Sequence, residues 1–272
     1  MSNRSERSGK AGAAGNCEAP GTSWMRMFDN LNPMDFRYYG RSKTAFEKLK
    51  PYLSENAMIA YMLRVEAVLT NALAKRGMCP EKVAKEVEAA SKKASADEVY
   101  AEEDRIKHNV RALANIIRRR VSEEARPYVH FTATSHDIIC TADAARLKDF
   151  AVDILVPELK ELEKTLIFLA RREKDTIQIG RTHGQHAEPI TFGFAIAGYV
   201  SRLGSRIKAI TNAAGELRGK MSGAVGAYNA SSLLFDSPES FERAVLKALG
   251  LKPSPVSTQV VEPEWMVDFI HT

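Results

Sequence analysis

Residues 192–221 read FGFAIAGYVSRLGSRIKAITNAAGELRGKM, and the apolar residues of this stretch recur with alternating steps of four and three. The repeating positions are Ile196, Val200, Leu203, Ile207, Ile210, Ala214, Leu217 and Met221. A sustained period of 3.5 residues predicts a long helix that wraps left-handedly around other helices. This stretch therefore predicts a helical bundle and an all-α fold.

A second apolar stripe lies earlier in the chain, where residues 135–172 contain no glycine. Its members are Val152, Leu155, Leu159, Leu162, Leu166 and Leu169. Pro157 lies inside the stripe and predicts a kink rather than an end, because the pattern resumes in phase. Two helices cannot bury both stripes alone, so further helices of this chain or of other subunits must cover them.

Shorter helices are predicted on both sides of the stripes. Ser54 and Glu55 open a helix that stops at Gly77 and Pro80, as expected for a cap and a breaker. We expect others at about 81–93, 97–121, 238–249 and from 265 onward. The predicted organisation is a disordered tail (1–23), a helical N-terminal domain (24–134) and a long-helix bundle domain (135–272).

The composition indicates an ordinary globular protein, with 44% hydrophobic and 27% charged residues. Neither a secretory signal nor an apolar run of membrane-spanning length is evident. Cys17, Cys79 and Cys140 are widely spaced, which favours reduced thiols in a cytoplasmic protein over a zinc site. The formal charge of +5 is too small to indicate nucleic-acid binding.

The break between the two stripes reads GRTHGQHAEP at residues 180–189. Histidine suits proton transfer near neutral pH, and arginine binds carboxylate or phosphate. Pro189 fits the first position of the following helix, whose free N–H groups attract anions. The composition alone leaves two interpretations open, a polar linker between helices or an active-site loop.

Three further polar clusters interrupt the helical pattern: Lys107-His108-Asn109, Thr134-Ser135-His136-Asp137 and the glycine-rich residues 219–226. A histidine within a helix is more often structural than catalytic. Thr134 and Ser135 fit helix capping, but the same groups also form carboxylate sites. The glycines fit either a ligand loop or a helix stop. The motifs GxGxxG, GxxxxGK[ST], HExxH, CxxC and GxSxG do not occur, so the matching nucleotide, zinc and serine-hydrolase classes lose support.

Four of these segments together resemble the adenylosuccinate lyase family of the fumarase/aspartase superfamily. They read NPMDFRY at 32–38, HFTATSHDI at 130–138, RTHGQHAEP at 181–189 and KMSGAVG at 220–226. The resemblance extends from about residue 32 to residue 270, and the combination in this order is highly specific.

The resemblance implies a β-elimination that releases fumarate from adenylosuccinate, giving AMP, and from the related ribotide SAICAR, giving AICAR. It implies that His183 is the general acid and that Thr134 and Ser135 bind the succinyl carboxylates. The remaining implied substrate contacts are Arg37 and Tyr38 at the nucleotide end, Lys107, His108 and Asn109 near the phosphate, Thr182, and Gln259. The family needs neither metal nor cofactor, and its homotetramer shares each active site among subunits, without nucleic acid or membrane.

The chain departs from the family pattern at three places. Asn109 stands where the family usually has Asp, and an Arg-Asp pair is replaced near residues 261–264. The serine that acts as base in the family lies in a Ser-Ser-x-Met-Pro-x-Lys-x-Asn-Pro segment, which these 272 residues do not contain. We therefore expect an N-terminal portion of such an enzyme. Two alternatives stay open: another lyase of the superfamily, acting on argininosuccinate or a carboxymuconate, and a non-catalytic helical assembly module.

Overall fold

The computed structural model describes Asp29 and residues 41–272. The all-α prediction is confirmed, and the described part of the chain is built mainly from helices. These are α1 (Lys43–Leu53), α2 (Glu55–Lys75), α3 (Glu81–Lys93), α4 (Ala96–Ile106), α5 (Asn109–Arg118), α6 (Ser135–Phe150), α7 (Val156–Arg172), α8 (Phe192–Glu216), α9 (Pro238–Ala248) and α10 (Glu264–His271). Four short strands form an antiparallel pair, β1 (Ile177–Thr182) with β2 (Gln185–Thr191), and a parallel pair, β3 (Arg218–Gly219) with β4 (Lys252–Pro253).

Helix α2 is the central helix of the core and packs against α3 and α6. Ser54 caps it as predicted, since the Ser54 hydroxyl accepts a hydrogen bond from the Ala57 N–H at 3.1 Å. Residues 43–75 are long and apolar enough to cross a membrane, but 56% of their most apolar segment is buried within the fold. One apolar cluster joins α2 to α10 across residue 134, and the domain division placed there stays a prediction.

The long helical stretch from Ser135 to Arg172 is continuous, as the apolar stripe from Val152 to Leu169 predicts. A π-helical turn, Ala151–Leu155, joins α6 to α7 immediately before Pro157. Such a turn accommodates the proline, which lacks an N–H and crowds the preceding turn. The stretch rises about 57 Å at 1.5 Å per residue.

Helix α8 is shorter than its apolar pattern. It begins after Thr191, whose hydroxyl caps the Phe194 N–H at 3.1 Å, and it ends at Glu216. The last stripe members, Leu217 and Met221, therefore lie beyond the helix, yet both are buried. The pattern continues because the chain stays in the core, while the backbone leaves the helix to form β3.

The segment between α7 and α8, expected as a loop between two helices, is a β-hairpin. Pro189 pairs with Ile179 inside β2 and does not begin the next helix. The turn consists of His183 and Gly184, both with positive φ (48° and 73°). Two such residues form the turn type that matches the twist of a hairpin. Gly180 lies at a register shift, where an added Cβ would come within 2.8 Å of the Glu188 carbonyl oxygen.

The single helix predicted over residues 97–121 is also wrong, because α4 and α5 are separate helices. Lys107 adopts a left-handed conformation (φ 58°) and ends α4. His108 then caps α5, its Nδ1 accepting a hydrogen bond from the Arg111 N–H at 3.2 Å. The Lys107-His108-Asn109 cluster is thus an exposed corner between two helices rather than part of one helix.

Candidate active site

The N-terminus of α6 is organised around a fully buried carboxylate, that of Asp137. Its Oδ2 accepts a hydrogen bond from the Thr134 N–H at 2.9 Å, which fixes the entry to the helix. Ser135 is the first helical residue, and Thr134 and Ser135 are both half-buried. The free N–H groups of a helix's first turn attract anions, so this end of α6 suits a carboxylate.

Lys220 forms a buried ion pair with Asp137, and both side chains are completely enclosed. The Lys220 ammonium also donates to the Gly223 carbonyl oxygen at 2.8 Å. In return the Asp137 carboxylate accepts hydrogen bonds from the N–H groups of Ser222 and Gly223 at 3.1 and 3.2 Å. This pairing ties the glycine-rich segment, residues 219–226, to the start of α6.

The segment that carries Gln259 lies against the same loop. The hydroxyl groups of Ser222 and Ser257 are 2.7 Å apart. Gly226 has positive φ, and a Cβ there would come within 2.0 Å of the Ser257 carbonyl oxygen. Gln259 follows two residues later and is exposed. The structure therefore brings the 134–137, 220–226 and 257–259 segments together.

A second buried acidic group holds the chain just before Thr134. Glu66 of α2 is buried, and its carboxylate oxygens accept the His130 backbone N–H at 3.0 Å and contact the His130 Nδ1 at 2.6 Å. Burial alone lowers the pKa of His130, but the nearby Glu66 carboxylate reverses this and leaves the pKa raised. His130 and Thr132 both have positive φ, so this segment is held in a conformation that most side chains avoid.

His183 and Thr182 lie at the far end of the β-hairpin, and both are exposed. Helix α8 separates this turn from the loop at Lys220. Its 25 residues rise about 37 Å. Within one chain the proposed acid is thus remote from Thr134 and Ser135.

The other predicted residues are placed as follows. Lys107, His108 and Asn109 form the exposed corner between α4 and α5. Arg37 and Tyr38 lie outside the described residues. Among residues 29 and 41–272, no group of three or more His, Cys, Asp or Glu side chains is arranged to hold a metal ion.

Two pairs that organise the site, Asp137 with Lys220 and Glu66 with His130, were not predicted as pairs. The partners are far apart in sequence, so helical periodicity gives no signal for them. One local signal existed for Asp137: a carboxylate three residues after a Thr that begins a helix is typical of a capping box. The second local signal was Lys220, a charged residue in a stretch of otherwise small or apolar residues.

Comparison with known proteins gives a consistent assignment. The sequence profile of a lyase family matches residues 37–269. The adenylosuccinate lyase of Archaeoglobus fulgidus is 35% identical over 242 residues, covering 89% of this chain and 52% of the relative. That of Thermotoga maritima is 36% identical over 225 residues, covering 82% and 50%. The chain thus spans about half the length of these curated relatives.

Solved structures share the fold. The 3-carboxy-cis,cis-muconate lactonizing enzyme of Pseudomonas putida superposes with a TM-score of 0.72 at 27% identity, covering 83% of this chain and 51% of that one. A fumarate lyase from Mesorhizobium sp. BNC1 gives 0.67 at 26% identity, covering 78% and 49%. The family profile covers most of the chain, and the matched relatives lie in one superfamily. The chain therefore belongs to the lyase family of the fumarase/aspartase superfamily.

Proposed function

We propose that this chain is part of a cytoplasmic adenylosuccinate lyase of purine nucleotide biosynthesis. The proposed reaction releases fumarate from adenylosuccinate, giving AMP, and from SAICAR, giving AICAR. The observation that carries the proposal is the similarity to adenylosuccinate lyases along nearly the whole chain, at 35% identity over 242 residues for the Archaeoglobus relative. The matched part of the chain includes the 220–226 loop and the N-terminus of α6.

The reaction needs a base, a stabiliser of negative charge and an acid. The base removes a proton from the succinyl carbon beside a carboxylate, and the resulting aci-carboxylate is stabilised before the C–N bond breaks. The acid then protonates the departing nitrogen. We assign the acid to His183, and the carboxylate-binding groups to Thr134 and Ser135 at the α6 terminus, where N–H dipoles favour negative charge. Thr182 and Gln259 are proposed as further substrate contacts.

Arg37, Tyr38, Lys107, His108 and Asn109 are proposed to contact the nucleotide end of the substrate. The exposed corner between α4 and α5 supports the last three of these assignments, because its side chains face solvent. Cations and imidazole groups there suit a phosphate.

Each active site is proposed to form between copies of the chain, in a homotetramer. Two observations support this. His183 is separated from the α6 terminus by the length of α8, and the helices flanking the hairpin expose large apolar side chains such as Phe168 (64%) and Phe194 (69%). Exposed apolar patches of this kind are typical of association surfaces.

The test is the release of fumarate from adenylosuccinate by the full-length gene product, with argininosuccinate as the competing substrate. We expect turnover of adenylosuccinate only. The 272-residue chain is assayed in parallel, and we expect it to be inactive because the family's serine segment is absent from it. Turnover of argininosuccinate alone would refute the proposed substrate.

The role of His183 is tested in the same assay. His183→Ala is expected to lower the rate by about 10²–10⁴-fold, the usual worth of general acid catalysis. The matched control is His186→Ala, since His186 is also an exposed hairpin histidine. A rate within about threefold of wild type for His183→Ala, below even the lower end of that range, would rule out the general-acid role.

A second candidate function is supported by the superposition on the muconate lactonizing enzyme. A carboxymuconate also carries several carboxylates, which the α6 terminus suits. Conversion of 3-carboxy-cis,cis-muconate without fumarate release would favour this candidate. Association without turnover of any of these substrates, in the full-length product, would favour a non-catalytic assembly role.

A further inference from the structure

Two arginines on α5, Arg111 and Arg118, lie on one face of that helix. They are seven residues apart, which corresponds to about two turns and 10 Å along the axis. Arg111 is exposed and Arg118 is half-buried. The family resemblance assigns no role to either arginine. It assigns substrate contacts to residues 107–109, which come just before Arg111.

Arg118 is incompletely satisfied in its surroundings. Its Nη2 donates to the Val129 carbonyl oxygen at 3.1 Å, next to His130. Its Nε is buried and has no hydrogen-bond partner in the described part of the chain. Burial, and then the positive charge of Arg111, lower the pKa of Arg118. The positive charge of Arg111 thus disfavours that of Arg118, which lies on the same face of α5.

Nearby negative charge does not neutralise the pair. The Glu66 carboxylate favours the charged form of Arg118 by raising its pKa. Both oxygens of that carboxylate, however, already contact His130. Asn109 adds no charge where the family usually has Asp. The Asp137 carboxylate is paired with Lys220.

Other arginines of this region contrast with this pair. Arg105 and Arg119 form ion pairs with Glu102 at 2.7 and 2.6 Å, and together with Asn115 they lower the pKa of that carboxyl to about 2. Arg120 pairs with Glu98. Carboxylates thus satisfy these three arginines, whereas no ion pair to Arg111 or Arg118 is found among the described residues.

We propose that Arg111 and Arg118 form an oxyanion-binding site that continues the Lys107-His108 corner toward His130 and Thr134. The ligand is a phosphate or carboxylate group, which the planar guanidinium binds through paired hydrogen bonds. The inference rests on the proposed function in one respect: the anion is taken to be a charged group of the substrate. Arg111 adds a second positive charge to this site, and it thereby selects a substrate with negative charge at that position.

The test is calorimetric titration of the chain with inorganic phosphate and, separately, with succinate, at low salt. These two probes distinguish the phosphate source of the anion from the carboxylate source. Arg111→Gln is the main variant, because the exposed side chain can be changed without disturbing the fold. Arg126→Gln is the matched control, since Arg126 is exposed and makes only a 3.7 Å ion pair with Glu123.

We expect Arg111→Gln to weaken the binding of one of the two anions by about tenfold or more, the worth of one charge-assisted contact. Arg126→Gln is expected to stay within about twofold, since exposed ion pairs contribute little. Equal losses in both variants, or no binding of either anion to the wild-type chain, would overturn the proposal.

In the full-length product, Arg111→Gln should raise KM for the substrate more than it lowers kcat. Anion binding without fumarate release would refute the proposed function and leave this site intact. Fumarate release with unchanged KM in Arg111→Gln would refute the site and leave the function intact.

Discussion

The compact part of the molecule (α1–α6, α9, α10 and the loop that carries Lys220) and the projecting part (α7, β1, β2 and α8) differ in what they bury. In the compact part even a lysine is fully enclosed, because Lys220 meets Asp137. In the projecting part large apolar side chains face outward, including Ile177 (79%) and Phe194 (69%). The compact part encloses this charged pair within the chain, whereas the projecting part exposes apolar side chains that only other surfaces can cover.

The apolar stripe of α8 shows the same contrast within a single helix. Ile207 and Ala214, in its C-terminal half, are buried, and Ala214 belongs to the apolar core cluster. Ile196, Val200 and Leu203, nearer the hairpin, are only half-buried. A pattern that continues past this core indicates a bundle completed by further helices, and we propose that other copies supply them.

The largest expected effect breaks the compact part. Lys220→Met leaves the buried Asp137 carboxylate without its counter-charge, and we expect the free energy of unfolding to fall by about 3–5 kcal/mol. Chemical denaturation of the chain measures this loss. The control is Lys48→Met, which removes an exposed ion pair with Glu158 and should cost about 1 kcal/mol or less. Equal small losses in both variants would show that the buried pair is not what holds the loop to α6.

The next largest effect is on association through the projecting part, and it leaves the core unchanged. Phe194→Glu places a charge on the exposed apolar surface, and we expect association to weaken by roughly 10–100-fold, since burying a Phe contributes about 1.5–3 kcal/mol. Sedimentation equilibrium measures the change. Leu233→Glu is the control, because Leu233 is also exposed (85%) but lies outside the projecting part. If both changes weaken association alike, the projecting part is not the association surface.

The smallest effect is a dependence on pH within the compact part. The Glu66 carboxylate raises the pKa of His130 above its usual 6.5, against the opposing effect of burial. A raised folded-state pKa means that the pair's contribution is full below about pH 6.5 and is lost as pH rises through the folded value. The stability advantage of wild type over His130→Gln should therefore be larger at pH 6 than at pH 9. A stability advantage that is constant with pH, or that increases as pH rises, would contradict a charged pair of His130 and Glu66.

The helices were predictable because their signals are local. The 3.5-residue stripes indicated the two long helices, and Ser54 marked the start of α2. Pro157 was correctly interpreted as lying within a continuous stretch, because the apolar phase survived it. The stripe overestimated α8, since Leu217 and Met221 keep their apolar character after the helix has ended.

The hairpin was missed because its polar, glycine-containing residues are equally typical of a loop. The overlooked signal was the alternation of Ile177 and Ile179 before a two-residue His-Gly turn. The split between α4 and α5 was missed because the helical pattern over residues 97–121 placed His108 inside a single helix. In the structure His108 caps the start of α5. The ion pair of Asp137 and Lys220 joins residues 83 positions apart, and only tertiary packing reveals it.

The most direct test of the account measures where His183 lies relative to the α6 terminus. Spin labels are attached at 183 and 135 through His183→Cys and Ser135→Cys, with Cys17, Cys79 and Cys140 replaced by Ala, and pulsed electron paramagnetic resonance gives their separation. Doubly labelled chains diluted in unlabelled chain report the distance within one copy, and mixtures of singly labelled chains report the distance between copies. We predict about 37 Å or more within a chain, from the rise of α8, and a clearly shorter distance between chains. A short distance within the diluted, doubly labelled chain would contradict an active site shared between copies.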